Sequence, residues 1–80
     1  MDRSEFINNH INPGKYSWRE IDGKIVINSS KYIALECLTI PEGVVFDNST
    51  GISFDFLNEI PEGTIFLNRN SIFFQNRIVF

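Results

Sequence analysis

Apolar residues in this chain recur in short runs that turn-forming residues separate, and each run is too short for a helix. The runs are rich in Val, Ile and Phe, which favour β-strands. Examples are "KIVIN" from residue 24, "VVFDN" from residue 44 and "TIFLN" from residue 64. The pattern predicts one set of strands at about 24–28, 44–48 and 64–68, and a second set at about 31–36, 51–56 and 71–76.

One phrase is written twice at a fixed spacing. "IPEGVVFDN" at 40–48 returns as "IPEGTIFLN" at 60–68, and Gly23, Gly43 and Gly63 keep the same phase. A fixed period signals stacked repeats, and twenty residues are too few for a helical repeat. We therefore expect a mostly β fold: a small three-rung β-solenoid over residues 21–80, with two short strands per 20-residue repeat and an N-terminal cap over residues 1–19.

The two-residue alternation of a strand assigns side chains to faces. The repeat phase predicts an inward-facing set of Val26, Phe46, Phe66, Tyr32, Ala34, Ile52, Phe54, Ile72 and Phe74, with Cys37, Leu57, Ile40, Ile60 and Phe80 near the corners. The glycine column predicts a backbone bend that a Cβ would obstruct. The column of Asn28, Asn48 and Asn68 predicts side chains that satisfy backbone groups at a corner.

The first repeat departs from the others because it lacks proline and has Val26 where they have phenylalanine. Its Asp-Gly dipeptide, in "YSWREIDGKIVIN", also fits a β-hairpin turn. The phase of Gly23 and Asn28 favours a solenoid rung, and the two arrangements can occur together.

Residues 1–19 do not repeat, and their sequence predicts a short helix that caps the repeats. Ser4 is a candidate N-cap, the helix would run to about His10 with Phe6 and Ile7 inward, and Pro13-Gly14 would end it. Such a segment is expected at the open end of a repeat stack. Tyr16 and Trp18 are assigned to the core of this cap.

The repeats resemble the twenty-residue "LPEGV-x-F-x-N" β-solenoid repeats of bacterial and phage-encoded proteins. The resemblance covers residues 21–80. It implies a scaffold architecture and says little about activity, because such scaffolds present different surfaces.

Charge is distributed unevenly along the chain. Ten acidic and seven basic residues give a formal net charge of -3, and no Lys or Arg lies between Lys31 and Arg69. A surface of this kind repels a nucleic-acid backbone and attracts a basic partner. The candidate partner-binding carboxylates are Asp22, Glu42, Asp55, Glu59 and Glu62.

Catalytic and membrane signals are weak. His10 and Cys37 are the single histidine and the single cysteine, and no phosphate-binding glycine loop occurs. We expect no enzymatic activity, no cofactor and no metal. The chain has neither an apolar run of about 18 residues nor the apolar centre of a signal peptide, so we expect a cytoplasmic protein without a membrane partner.

A second candidate surface is apolar. The repeat phase predicts that Ile33 faces outward. The candidate partner or dimer interface consists of Ile25, Ile27, Val45, Ile65, Leu67, Phe73 and Phe80. A contiguous apolar face normally marks a binding surface. The alternative is that the N-terminal cap folds over part of it. The closing "RIVF" adds an uncovered strand edge, from which we expect a homodimer or a covering partner.

These features together favour a non-enzymatic protein-binding module. By analogy of size, charge and repeat type with small anti-CRISPR proteins and DNA mimics, the sequence suggests a phage-encoded inhibitor that occupies the basic channel of a host nucleic-acid-binding complex. The rival hypothesis is a self-associating structural module of a phage or bacterial assembly.

Overall fold

A computed structural model of the chain describes residues 2–37, 39–47 and 50–67, together with the backbone of 72–74. In this part the chain is mostly β-strand, with one short helix and an adjoining π-helical segment at the N-terminus. The mostly β class expected from the sequence is therefore confirmed. Asn48, Asn68 and the whole "RIVF" segment with Phe80 lie outside the described residues, and so does the side chain of Phe73.

The N-terminal segment begins with helix α1, Arg3–Phe6, and continues as a π-helical segment, Ile7–Ile11. The N-cap is Asp2, whose carboxylate accepts a hydrogen bond from the Glu5 amide at 2.8 Å, and not Ser4 as expected. Phe6 and Ile7 are buried as expected. Neither helical segment in the described ranges has the length and apolar character needed to cross a membrane.

In the described ranges seven strands follow, and each is two to four residues long. They are β1 (Trp18–Ile21), β2 (Lys24–Ile27), β3 (Ile33–Leu35), β4 (Val44–Phe46), β5 (Ile52–Phe54), β6 (Ile65–Phe66) and β7 (Ile72–Phe74). Within the described residues they form two sheets. We call the sheet with strand order β1-β2-β4-β6 sheet A and the sheet with order β3-β5-β7 sheet B.

From β2 onward the chain alternates between the sheets, so each strand pairs with the equivalent strand of the next repeat. Pairings β2–β4, β4–β6, β3–β5 and β5–β7 are all parallel. Strands β1 and β2 form an antiparallel hairpin. The hairpin and the parallel pairing of the first repeat therefore coexist, because β2 pairs with β1 on one side and β4 on the other.

The spacing of paired residues changes by one between the first and second repeats. Phe46 pairs with Phe66, twenty residues on, whereas Ile27 pairs with Phe46, nineteen residues on. The cause is the hairpin turn, in which Asp22 and Gly23 both have positive φ (51° and 76°). The turn type fixes the β1–β2 register. As a result, the residue two positions after Gly23 pairs with the residue one position after Gly43.

A shift of one residue turns every side chain of a strand to the other face. In the first repeat Ile25, Ile27, Ile33 and Leu35 are therefore core residues, with 0–1% of their surface exposed. The expectation that Ile25, Ile27 and Ile33 face outward is wrong. The inward assignments of Tyr32 and Ala34, which are exposed, and of Val26, which lies outside the core cluster, are wrong for the same reason.

The later repeats keep the predicted phase and build an aromatic centre. Phe46 stacks on Phe66 with ring centroids 5.2 Å apart and planes 10° from parallel. Phe54 comes across from sheet B and meets Phe46 edge-on at 5.5 Å. These contacts join successive repeats along sheet A and join the two sheets across the core. Cys37, Ile40 and Leu57 complete the same cluster, as expected for corner residues.

The glycines at equivalent positions of the three repeats are selected by backbone conformation, and not by the crowding of a Cβ that the sequence suggested. Gly23, Gly43 and Gly63 all adopt left-handed backbone, with φ of 76°, 77° and 86°. A Cβ built on Gly23 or Gly63 would meet nothing within 4 Å among the described residues. Conformation selects glycine here, since non-glycine residues are strained at these angles.

We expect Phe46→Ala to lower the free energy of unfolding by about 3–5 kcal/mol, because the fully buried ring leaves a cavity where the sheets meet. Phe56→Ala is the matched control, because the Phe56 side chain is 50% exposed. Urea unfolding followed by circular dichroism measures both. Equal midpoints for the two variants would show that Phe46 does not fill the core.

Two neighbouring positions, the first residue of β3 and the residue before it, test the one-residue shift. Ile33→Ala should lower the free energy of unfolding by about 2–5 kcal/mol, since Ile33 is fully buried, whereas Tyr32→Ala should cost less than about 1 kcal/mol. The repeat phase alone predicts the reverse order. Thermal and urea melts of the two variants distinguish the registers, and a larger loss for Tyr32→Ala would contradict the structure.

Candidate protein-interaction surface

The acidic side chains lie mainly on one side of the molecule, on the connections that run from sheet B back to sheet A. The connection at 36–43 includes Glu36 and Glu42, and the connection at 55–64 includes Asp55, Glu59 and Glu62. Because paired strands are parallel, these connections lie next to each other at the same edge of the fold. We call the side formed by these two connections and the Asp22-Gly23 turn the acidic side.

The turn and the corner of the second repeat are in direct contact, and the corner of the third repeat follows at the equivalent position in the sequence. The Ile25 amide donates to the Gly43 carbonyl at 2.9 Å, which joins the hairpin turn to the corner of the second repeat. Asp22 and Glu42 each precede the glycine of their turn, and Glu62 holds the same place in the third repeat. All three side chains are exposed, at a spacing set by strands about 4.8 Å apart.

The other predicted carboxylates extend the same side. Glu59 is exposed and Asp55 is half-buried, with its Oδ1 accepting a hydrogen bond from the Ser53 hydroxyl at 3.2 Å. Asp47 lies on the opposite side, because it follows β4 on a connection from sheet A to sheet B. The structure thus brings all five predicted acidic residues onto one side.

Arg3 is a basic residue that the sequence pattern did not single out. It lies beside the part of the acidic side that belongs to the first repeat. Arg3 in α1 donates from Nη1 to the Gly23 carbonyl, and its Nη2 lies 3.4 Å from a carboxylate oxygen of Glu20. With Asp2, Ser4, Pro41 and Glu42 it lines an open hollow. Nothing in the sequence pattern signals this contact between residues twenty positions apart. Arg3 therefore places a positive charge beside the Asp22-Gly23 turn and in one hollow with Glu42, so the carboxylates of the third repeat are the better candidates.

The third repeat adds an apolar floor to the acidic side. Ile60, Pro61, Glu62, Thr64 and Phe66 line a shallow groove, and Ile60 and Phe66 are both half-buried. The Thr64 hydroxyl donates to the Pro61 carbonyl at 2.8 Å and fixes this corner. A long cationic side chain fits such a groove, because its aliphatic stem can cover the apolar floor while its charge meets Glu62.

The predicted apolar surface is smaller than the sequence suggests. Ile25 and Ile27 are in the core, and Val45 is only 7% exposed, whereas Ile65 is 37% and Leu67 is 54% exposed. Val26, Val45 and Ile65 are neighbours in the sheet register, which places them in one column on the outer face of sheet A. Exposed apolar area on this face therefore lies at β6 and the residue that follows it, and at Ile21 in β1, which is 41% exposed.

The chemically reactive residues form no catalytic group in the described part of the chain. Cys37 is 3% exposed, and burial raises the pKa of its thiol to about 11, so it is protonated at neutral pH. His10 lies beside Phe6, with ring centroids 6.2 Å apart. Across the described ranges no three His, Cys, Asp or Glu side chains are grouped so that they could hold a metal ion.

Comparison of the chain with protein-family models, with curated proteins and with solved structures gives no match. The arguments about function therefore start from the geometry of the acidic side and of β6.

Proposed function

We propose that this chain is a three-rung β-solenoid that acts as a non-enzymatic protein-binding module. The parallel strand pairs of successive repeats, the alternation of the chain between the two sheets and the spacing of 19 or 20 residues within these pairs support the solenoid. Its short corners present side chains at regular intervals. A repeat scaffold of this kind offers an extended recognition surface without a catalytic cleft.

The acidic side is the proposed contact surface, and the observation that supports it is the position of the carboxylates. Five of the six acidic residues between Lys31 and Arg69 lie on the two connections from sheet B to sheet A. Opposite charge on a partner would steer the encounter and fix its orientation. The partner we propose is a protein with a basic surface, whose Lys or Arg side chains occupy the groove at Ile60, Glu62 and Phe66.

The more specific proposal is inhibition of a nucleic-acid-binding complex. A basic channel that holds nucleic-acid phosphates would also attract a regular array of carboxylates, so the chain would compete with nucleic acid without binding it. The resemblance of the repeats to phage-encoded ones and the small size of the chain support a phage inhibitor of a host CRISPR-type complex. Such an inhibitor would act in the host cytoplasm.

One observation favours a second candidate, a self-associating structural module. Ile65 and Leu67 expose apolar surface at β6, which is the last strand of sheet A in the described chain. A homodimer that covers this surface would bury both side chains. Association of this kind is apolar and responds weakly to salt, whereas binding through carboxylates weakens steeply as salt rises.

Charge reversal tests the binding proposal. We expect Glu42→Lys/Glu62→Lys to weaken capture of a basic host protein at least about tenfold, because two attractive contacts become repulsive. The control is Glu5→Lys/Asp47→Lys, which changes net charge equally at exposed positions outside the acidic side. It should stay within about twofold of the wild type.

The measurement is capture from host lysate on immobilised wild type and both variants, followed by titration of each purified captured protein at low and high salt. Circular dichroism checks that both variants fold. Undiminished binding by the Glu42/Glu62 variant would contradict the role of the acidic side. A purified partner that still binds its nucleic acid when saturated with this chain would contradict the inhibitor proposal.

A further inference from the structure

The edge of sheet B at β3 is covered by a side chain and not by a strand. Ile33 and Leu35 turn their backbone groups toward the next repeat: the Ile33 amide donates to the Gly51 carbonyl at 3.0 Å, and the Leu35 carbonyl accepts from the Asp55 amide at 3.1 Å. Ala34, between them, points its amide and carbonyl away from β5. Backbone amides and carbonyls that point away from the last strand of a sheet can hydrogen-bond to an added strand.

The Tyr16 hydroxyl satisfies both of these groups. It accepts a hydrogen bond from the Ala34 amide at 3.1 Å and donates one to the Ala34 carbonyl at 3.3 Å. A neighbouring strand would also pair with the amide and the carbonyl of one edge residue. Tyr16 thus occupies, with one hydroxyl group, the place of a pairing strand.

Several contacts hold the Tyr16 ring in this position. The Tyr16 amide donates to the Ile11 carbonyl at 3.2 Å, which ties the residue to the π-helical segment. Position 14 must be small, since a Cβ there would lie 2.7 Å from Cζ of the ring. The Lys31 ammonium lies 5.6 Å from the ring centroid and donates to the Gly14 carbonyl at 2.9 Å.

The other sheet is covered differently at the same end. In sheet A the hairpin strand β1 pairs along β2, so that β2 presents no open edge there. Sheet B has no equivalent of β1 in the described part of the chain. Its edge at β3 is therefore the place where a further parallel strand could be added, and Tyr16 is the residue that meets it.

We infer that the Tyr16 hydroxyl prevents a second copy of this chain from adding its β7 to β3. In the described residues β7 lies at the far end of sheet B and runs parallel to β3 and β5. Its addition to β3 of another copy would continue the sheet with the same strand direction. This contact is head-to-tail and does not close, so repeated addition would build a filament. The inference depends on the sheet order and not on the proposed binding function.

Removal of the hydroxyl tests the inference. Tyr16→Phe keeps the ring and removes the hydroxyl that bonds to the amide and carbonyl of Ala34. Tyr32→Phe is the control, because it removes the hydroxyl of a tyrosine that is 43% exposed. Sedimentation velocity over a concentration series should show Tyr16→Phe forming species larger than a dimer. The concentration needed should be lower than for the control by about tenfold or more, because two edge groups lose their partner.

A double variant tests whether the assembly of Tyr16→Phe occurs through the edge of β3. Tyr16→Phe/Ala34→Pro lacks the edge amide, and proline is tolerated at an edge position whose N–H points away from the sheet. It should return to the size distribution of the control. Amide exchange of Ala34, measured in dilute protein where no assembly occurs, should be faster in Tyr16→Phe than in the control.

Gly14→Ala gives an independent route to the same state, because the added methyl group displaces the ring without removing the hydroxyl. It should also assemble at lower concentration than the control. The inference is overturned by any of three results. These are equal size distributions for Tyr16→Phe and Tyr32→Phe, assembly that persists in the double variant, or Ala34 exchange that is unchanged in Tyr16→Phe.

Discussion

The contact among the rings of Phe46, Phe54 and Phe66 joins the two sheets and the successive repeats. Two of the rings stack along sheet A at 5.2 Å, and the third meets each of them edge-on from sheet B, at 5.5 and 6.2 Å. In the described residues the strands are only two to four residues long, and apart from the β1–β2 hairpin they pair with equivalent strands of adjacent repeats. Isolated strands of that length are unstable in water, so the buried rings must hold the sheets together.

Strands β2 and β3 begin the parallel pairings of the two sheets, and the N-terminal segment covers the core and the backbone groups that they would otherwise expose. Phe6, Ile7 and Ile11 join the core cluster. Strand β1 pairs with the edge of β2, and the Tyr16 hydroxyl pairs with the edge of β3. These contacts show that the segment is an integral part of the fold, because without it the first repeat would expose apolar surface and unpaired backbone.

The candidate contact surface is built on the connections, and the core is built on the strands. The carboxylates at 42, 59 and 62 are exposed and make no contribution to the core cluster. Surface residues of this kind can be exchanged with little effect on stability. This separation lets one repeat architecture present different charges, and it allows the acidic side to be tested by substitutions that leave the fold intact.

The amino-acid sequence is enough to predict the strand-rich class, the twenty-residue phase of the second and third repeats and the placement of carboxylates at corners. The strand-rich class follows from local composition. The phase and the corner carboxylates follow from the repeated phrase, because each repeat needs the same residues to form the same bend. The glycine column was also visible, although its cause is the left-handed backbone and not crowding. The buried aromatic trio follows from the same phase, because Phe46, Phe54 and Phe66 alternate correctly within their own strands.

Three features become visible only in the folded chain: the faces of the first-repeat strands, the Arg3 contact and the hydrogen bonds that cover the edge of β3. The hairpin turn at Asp22-Gly23 fixes the position of β2 against β1, and this pairing overrides the phase suggested by the glycine column. Ile25, Ile27 and Ile33 consequently turn inward and leave the predicted apolar surface. Tyr16 meets Ala34 eighteen residues away. Long-range register and hydrogen bonding between distant side chains and backbone have no local signature, so they become visible only when the chain is folded.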